Sequence, residues 1–185
     1  MKAVVFEQCG EPADVVAVQE QESPTLKRGQ VRVRMLDSPD NTTDLLFIRG
    51  IYGRKPSLPA SPGFEGVGIV EESGGGILGW RVKGRRVAVL NGRGGNWKEE
   101  VVIPARQAVP VPSEMSDEQA ATFFVNPASA IVMTRYVLKI PRGAWLLQTA
   151  ANGALGRMVI RLGKENGFRT LNIVRRPELI DELKQ

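Results

Sequence analysis

Apolar positions along the chain change their period near residue 113. Before that point they come in short runs: Ala3-Val4-Val5-Phe6, Val15-Val16-Ala17-Val18 and the alternating Val31-Arg32-Val33-Arg34-Met35. A period of two suits strands that bury one face. Gly10, Pro12, Pro24 and Gly29 punctuate them. Asn41-Thr42-Thr43-Asp44, followed by Leu45-Leu46-Phe47-Ile48 and then Gly50, predicts a short capped helix. The glycine-rich stretch from Pro62 to Gly68 leads into a strand over Ile69-Val70-Glu71-Glu72, Gly74-Gly75-Gly76 predicts a flexible turn, and further strands are expected at Val87-Ala88-Val89-Leu90 and from Trp97 to Ile103. Short strands at this spacing predict a partly open, largely antiparallel β domain.

After Ser113 the period becomes helical. Ser116-Asp117-Glu118-Gln119 is a capping-box start that Ala120 to Phe124 continue, and Asn126-Pro127 is expected to cap a helix reaching Leu138. Trp145-Leu146-Leu147-Gln148-Thr149 then reads as a buried parallel strand, Val159, Ile160 and Leu162 as a helical apolar face stopped by Gly167, and Thr170-Leu171-Asn172-Ile173-Val174 as a second strand. The expected organisation is a β domain over residues 1–120 and an α/β domain over residues 121–185.

The turn inside that strand, helix, strand unit points to a ligand. Ala150-Ala151-Asn152-Gly153-Ala154-Leu155-Gly156 is built of small residues, which let the backbone approach a pyrophosphate. The N–H groups and dipole of the following helix favour its negative charge. The pattern is Ala-x-Gly-x-x-Gly over Ala151, Gly153 and Gly156, lacking the first glycine of the usual dinucleotide fingerprint. An NAD site usually places Asp or Glu about 20 residues later, on the ribose 2′-hydroxyl. This chain has Arg175 and Arg176 there, whose guanidinium groups suit a 2′-phosphate, so the expected cofactor is NADP(H), held by Asn152, Gly153, Ala154, Leu155, Gly156 and the two arginines. The other reading is a pair of surface arginines opening a solvated helix.

Composition narrows the chemistry. The chain has 185 residues, 42% hydrophobic and 24% charged, enough to bury a core. Its net charge of +5 is scattered without the aromatic interleaving of a nucleic-acid surface. It favours anionic cofactors weakly and predicts no nucleic-acid partner. No run approaches a membrane span, the N-terminus has no secretory apolar region, and the single cysteine, Cys9, excludes an internal disulfide. A cytoplasmic setting without a membrane partner is expected. There is no histidine, so a His-based triad is excluded and a zinc site would have to be assembled from carboxylates and one thiol.

Four stretches together, DNTTDLLFIRGIYG, PGFEGVGIVEE, NPASAIVMTRYVLKIPRGAWLLQTAANGALG and RTLNIVRRPE, resemble the medium-chain dehydrogenase/reductase superfamily. The resemblance is closest to its zinc-free NADPH-dependent 2-enoyl thioester reductases, with quinone oxidoreductases as relatives. It implies an N-terminal GroES-like, partly open β-barrel domain followed by the first part of a Rossmann dinucleotide-binding domain, an α+β and α/β combination. Zinc members carry a cysteine and a Gly-His-Glu segment where this chain has Asn41 and Phe64, so no metal is expected.

The resemblance also implies roles. Tyr52, in the family's Tyr-Gly after the short helix, would donate a hydrogen bond or proton to the thioester oxygen while hydride reaches the β-carbon; a loop tyrosine can equally be a packing residue. Trp97 would shape the substrate or cofactor side of the cleft, or open a strand as a core residue; Asn126 would lie near the nicotinamide, or simply cap its helix. Glu65 would order hydrogen bonds of the site and is not counted among the site residues. Arg85 stands where the family commonly has Asp, and Gly153 where enoyl reductases often have Ser. The partner expected is a small molecule, an enoyl thioester or a quinone, with homodimerisation in a complete member. Gln185 falls in the helix after the second strand of what would be a six-stranded sheet, which leaves a second class open: a truncated, non-catalytic nucleotide-binding remnant.

Overall fold

The chain divides into two compact units, Met1–Phe123 and Phe124–Gln185. The structure, a computed structural model, describes residues 1–183; the last two residues of the expected second domain lie outside it.

In the first unit β1 (Lys2–Phe6) leads through a single turn, α1 (Pro12–Val15), into β2 (Val16–Glu20). That turn takes Val15 out of the expected strand, since Pro12 at its start presets a helical φ. There follow β3 (Gln30–Asp37), α2 (Thr42–Ile48), β4 (Glu65–Ser73), α3 (Ile77–Val82), β5 (Arg86–Leu90), β6 (Glu100–Pro104), β7 (Ala108–Pro110) and α4 (Asp117–Ala121). β1 and β2 form an antiparallel pair, and the other strands an antiparallel sheet in the order β6-β3-β4-β5-β7. Both sheets are open. Val31 and Val33 on β3 point inward against Val70, Val87, Val89, Val101 and Ile103, as the alternation requires.

β4 starts at Glu65, not at Ile69. Gly66 and Gly68 are ladder residues: a Cβ on Gly68 would lie 2.4 Å from the Arg34 carbonyl oxygen, and one on Gly66 would lie 2.8 Å from that of Asp37. These glycines serve close strand approach rather than a loop. β6 begins three residues after Trp97, which stays in a loop beside the isolated bridge from Ala3 to Lys98. α4 carries the expected capping box, with Ser116 Oγ accepting from the Gln119 amide and Gln119 Oε1 from that of Ser116. It stops at Ala121, and Ala120 and Ala121 bury against Val67 of β4. That contact ties α4 to the β sheet, within the unit that ends at Phe123.

The second unit opens with α5 (Val125–Ile131), which continues as a π-helical stretch over Val132–Val137. Phe124, not Asn126, occupies the N-cap; Asn126 is in the first turn. β8 (Trp145–Gln148), α6 (Ala154–Asn166) and β9 (Arg169–Asn172) form the βαβ unit, with β8 and β9 parallel from Trp145↔Arg169 to Gln148↔Asn172. A last turn, α7, spans Leu179–Leu183. Gly167 ends α6 at φ 80°, the left-handed cap that glycine adopts without strain. Ala130, Val159 and Phe168 form the buried core, with Leu146, Leu155, Met158 and Leu162 against them; Ile160 lies beside this core rather than in it.

Candidate functional site

The two ends of the βαβ unit meet through backbone. Because β8 and β9 are parallel, the turn after one and the segment after the other leave the sheet at the same edge. The Ala151 amide donates to the Ile173 carbonyl at 3.3 Å, and Gln148 Nε2 donates to Asn172 Oδ1 at 2.7 Å and to the Gly156 carbonyl at 3.2 Å. Gln148 thus fixes both strand ends and the first turn of α6 with one amide group.

The turn itself is tight. Ala150 has φ 51°, Ala151 is fully buried, and the Gly153 amide closes onto the Ala150 carbonyl at 3.0 Å. A Cβ at Gly156 would sit 2.5 Å from the Ala151 carbonyl oxygen and 2.7 Å from its Cα, so only glycine lets the helix start so close to the strand. Among the described residues no acceptor takes the amides of Ala154, Leu155 and Gly156, which leaves the positive end of a 13-residue helix with donors to spare. Asn152 faces Arg157, whose Nε donates to the Asn152 carbonyl at 3.1 Å and whose Nη2 reaches its side-chain oxygen. Arg175 and Arg176 follow β9, exposed and without an ion pair among the described residues. Donors for a pyrophosphate and two free guanidinium groups for a further phosphate therefore share one sheet edge. The residues fit an NADP-type dinucleotide.

In the first unit Tyr52 is half-buried, leaning on Phe64 with ring centroids 5.5 Å apart. Phe64 packs edge-on to Phe47 at 5.2 Å, and Phe47 to Phe6 at 5.7 Å. Trp97 joins this cluster, and its Nε1 donates to the Pro39 carbonyl at 3.2 Å. The Tyr52 hydroxyl has no hydrogen-bond partner among the described residues, whereas the indole N–H is already engaged. Trp97 can shape a surface; Tyr52 has a donor to give.

Beside the aromatic cluster lies a buried polar knot in which sequence reasoning gave Asp44 no site role and Glu65 only an uncommitted one. Asp44 is fully buried, accepting from the Asn41 amide at 3.0 Å and the Gly63 amide at 2.8 Å. Glu65, also buried, accepts from Asn41 Nδ2 at 3.0 Å. Burial raises the Asp44 pKa to about 6, against the opposing pull of the two amide donors. The knot locks the start of α2 to the Gly63-Phe64 loop that supports Tyr52. A signal was present in the sequence: Glu65 is a lone acid inside the otherwise apolar, glycine-rich run Gly63 to Val70. Asn41 thus presents an amide bonded to Glu65, and Phe64 a phenyl ring packed on Phe47.

Residues 27–113 match the alcohol dehydrogenase GroES-like domain. Human mitochondrial enoyl-[acyl-carrier-protein] reductase is 36% identical over 188 residues, covering all of this chain and 50% of its own, and the Schizosaccharomyces pombe enzyme of that name is 32% identical over 195 residues, covering 100% and 52%. The solved quinone oxidoreductase of Thermus thermophilus, crystallised also with NADPH, is 31% identical with a TM-score of 0.81 over 96% of this chain and 55% of its own. The GroES-like match together with these whole-chain likenesses supports placement in the medium-chain dehydrogenase/reductase superfamily. It spans about half the length of the curated relatives it matches.

Tyr52 and Trp97 come together in the GroES-like unit. Asn152 to Gly156 and the arginine pair come together in the second unit, where Asn126 stands half-buried on α5, whose Ala130 packs on Val159 of α6. Among the described residues no helix is long and apolar enough to cross a membrane.

Proposed function

We propose that this chain carries the acceptor-binding part and the leading cofactor-binding part of an NADPH-dependent reductase acting on the C=C bond of an enoyl thioester. The observation that carries the reading is the sheet edge of the second unit, where unused helix amides and the unpaired Arg175 and Arg176 stand together with no carboxylate in the place of an NAD-type ribose ligand. NADPH supplies the hydride when bound. The chain's own part is electrostatic. Arg175 and Arg176 hold the 2′-phosphate, the α6 amides face the pyrophosphate, and Asn126 contributes on the nicotinamide side. Tyr52 gives its hydroxyl to the thioester oxygen as negative charge develops there, and then its proton to the enolate. Trp97 shapes the acyl side. Asp44 and Glu65 position Phe64 and thereby Tyr52. On this reading the protein is cytoplasmic and, at the full length of its relatives, a homodimer.

A quinone acceptor is the second reading, favoured by the likeness to the Thermus enzyme and to the quinone oxidoreductase of Pseudomonas syringae, 28% identical with a TM-score of 0.89 over 99% of this chain and 55% of its own. The deciding experiment follows NADPH oxidation by the purified chain with a short trans-2-enoyl thioester and, separately, a quinone, beside a titration of NADPH. Turnover is expected with the thioester. Tyr52→Phe should lower it on the order of 100-fold with NADPH affinity unchanged; equal turnover removes the phenol from the mechanism. Arg175→Ala with Arg176→Ala should weaken NADPH about tenfold or more and NADH little; equal weakening removes the 2′-phosphate role. Turnover with the quinone alone selects the second reading, and NADPH binding without turnover of either acceptor makes the chain a nucleotide-binding module.

A further inference from the structure

A cavity of about 340 Å³ opens in the first unit between the loop after α2 and the loop after β5. Arg54 and Lys55 line it from the first loop, Arg93 and Lys98 from the second, with Phe47 and Ser57 between them and no carboxylate in the lining. The loops are tied by backbone: the Gly95 and Trp97 amides donate to the Pro62 carbonyl at 3.0 and 3.1 Å, and the Arg54 guanidinium donates to the Gly92 carbonyl. None of the four cations has an ion-pair partner among the described residues, whereas Arg32, Arg34, Arg49, Arg86 and Arg157 each meet a carboxylate. Lys98 is half-buried, its ammonium meeting only the Gln21 amide oxygen, 3.3 Å away, among the described residues, and burial lowers its pKa. Four like charges gathered around a hollow repel one another unless an anion enters.

We propose that this cavity is an anion subsite that receives the nucleotide phosphates of a coenzyme A thioester. The proposal rests on the enoyl-thioester reading above and sharpens it. A 3′-phosphate together with a diphosphate carries about four negative charges near neutral pH, matching the four cations, while the single phosphodiester of a carrier-bound pantetheine carries about one. The volume is that of a small-molecule pocket, larger than a lone phosphate requires. Phe47 lines the cavity and belongs also to the aromatic cluster that holds Tyr52, which joins the subsite to the proton donor through one side chain. Quinones have no group for this cavity.

The test is calorimetric titration of the full 185-residue chain with coenzyme A, dephospho-coenzyme A, 4′-phosphopantetheine, inorganic phosphate and NADP⁺. Coenzyme A is expected to bind, with dephospho-coenzyme A about tenfold weaker and phosphopantetheine weaker again. Lys55→Gln with Arg93→Gln, both exposed positions, should weaken coenzyme A about tenfold or more and leave NADP⁺ unchanged; Lys98→Gln should do the same independently. The proposal is overturned if coenzyme A does not bind, if neither variant weakens it, if NADP⁺ weakens in step with it, or if inorganic phosphate binds as tightly. Binding that depends on these residues without any turnover keeps the subsite and sinks the reductase reading. Equal turnover of enoyl-pantetheine and enoyl-coenzyme A keeps the reductase and sinks the subsite.

Discussion

Asp44 is a carboxylate with no exposed surface, and two effects of opposite sign act on it. Amide donors from Asn41 and Gly63 favour the charged form, while burial, with smaller repulsion from Asp40 and Glu65, disfavours it; burial wins and raises the pKa from 3.8 to about 6. Because the folded value lies above the unfolded one, the folded protein retains a proton that the unfolded chain has already lost between those two values. Stability therefore falls as pH rises through that window, and the cost is complete above about pH 6. Glu11, held below its ordinary value by Arg49, pushes the other way as pH falls, so the Asp44 contribution must be read as a difference between two proteins. Denaturant unfolding of the parent and of Asp44→Asn across this range should show the parent losing on the order of 1–3 kcal/mol relative to the variant on the alkaline side. Parallel curves would show that Asp44 is ionised throughout and that the knot is held by its amide donors alone.

The α6 start shows how one element carries both packing and ligand. Gly156 and Gly153 occupy fingerprint places for different reasons. A Cβ at Gly156 meets backbone atoms of Ala151 at 2.5 to 2.8 Å, which cannot move without opening the turn, whereas one at Gly153 finds only the Ala150 carbonyl oxygen at 3.3 Å, at an ordinary φ of −68°. Gly156→Ala should cost about 1–3 kcal/mol in thermal unfolding and abolish NADPH binding, while Gly153→Ala should stay within about 1 kcal/mol and keep it; matching losses in both would show that the turn relaxes as a whole. Elements of this kind were legible because period, cap and stop agree: Asn41 before α2, the Ser116 box before α4, Gly167 after α6. α3 was not, since it has six residues, Gly79 within it and Gly76 rather than a polar side chain at its cap. Nor was β7, three residues whose only signal is pairing with β5. The same limit applies to the site. Tyr52 and the arginine pair lie in contiguous motifs, but the four-cation cavity joins two loops far apart along the chain and exists only once Pro62 accepts from Gly95 and Trp97.

The two units differ in what holds them, and this bears on how binding can be measured. The first has a five-stranded sheet with Val31, Val33, Val70, Val87 and Val89 wholly buried in its core. The second has two four-residue parallel strands with Trp145, Leu147 and Leu171 more than half exposed, and among the described residues neither strand has a second neighbour. A two-stranded sheet with one face covered is marginal, so its hydrogen bonds should open without global unfolding. Amide exchange in β8 and β9 is expected to run orders of magnitude faster than in β3 and β4. A ligand that binds only the closed form adds about 2.7 kcal/mol at a hundredfold excess over its dissociation constant, which slows exchange about a hundredfold where the ligand binds. NADPH should then protect the Ala151 to Gly156 turn and β9 while leaving β3 and β4 at their original rates, because those strands already exchange through global opening of their own unit. Uniform rates across both units, or NADPH protection spread equally over them, would mean that the chain opens as one cooperative body and that the marginal sheet is stabilised by contacts beyond its own two strands.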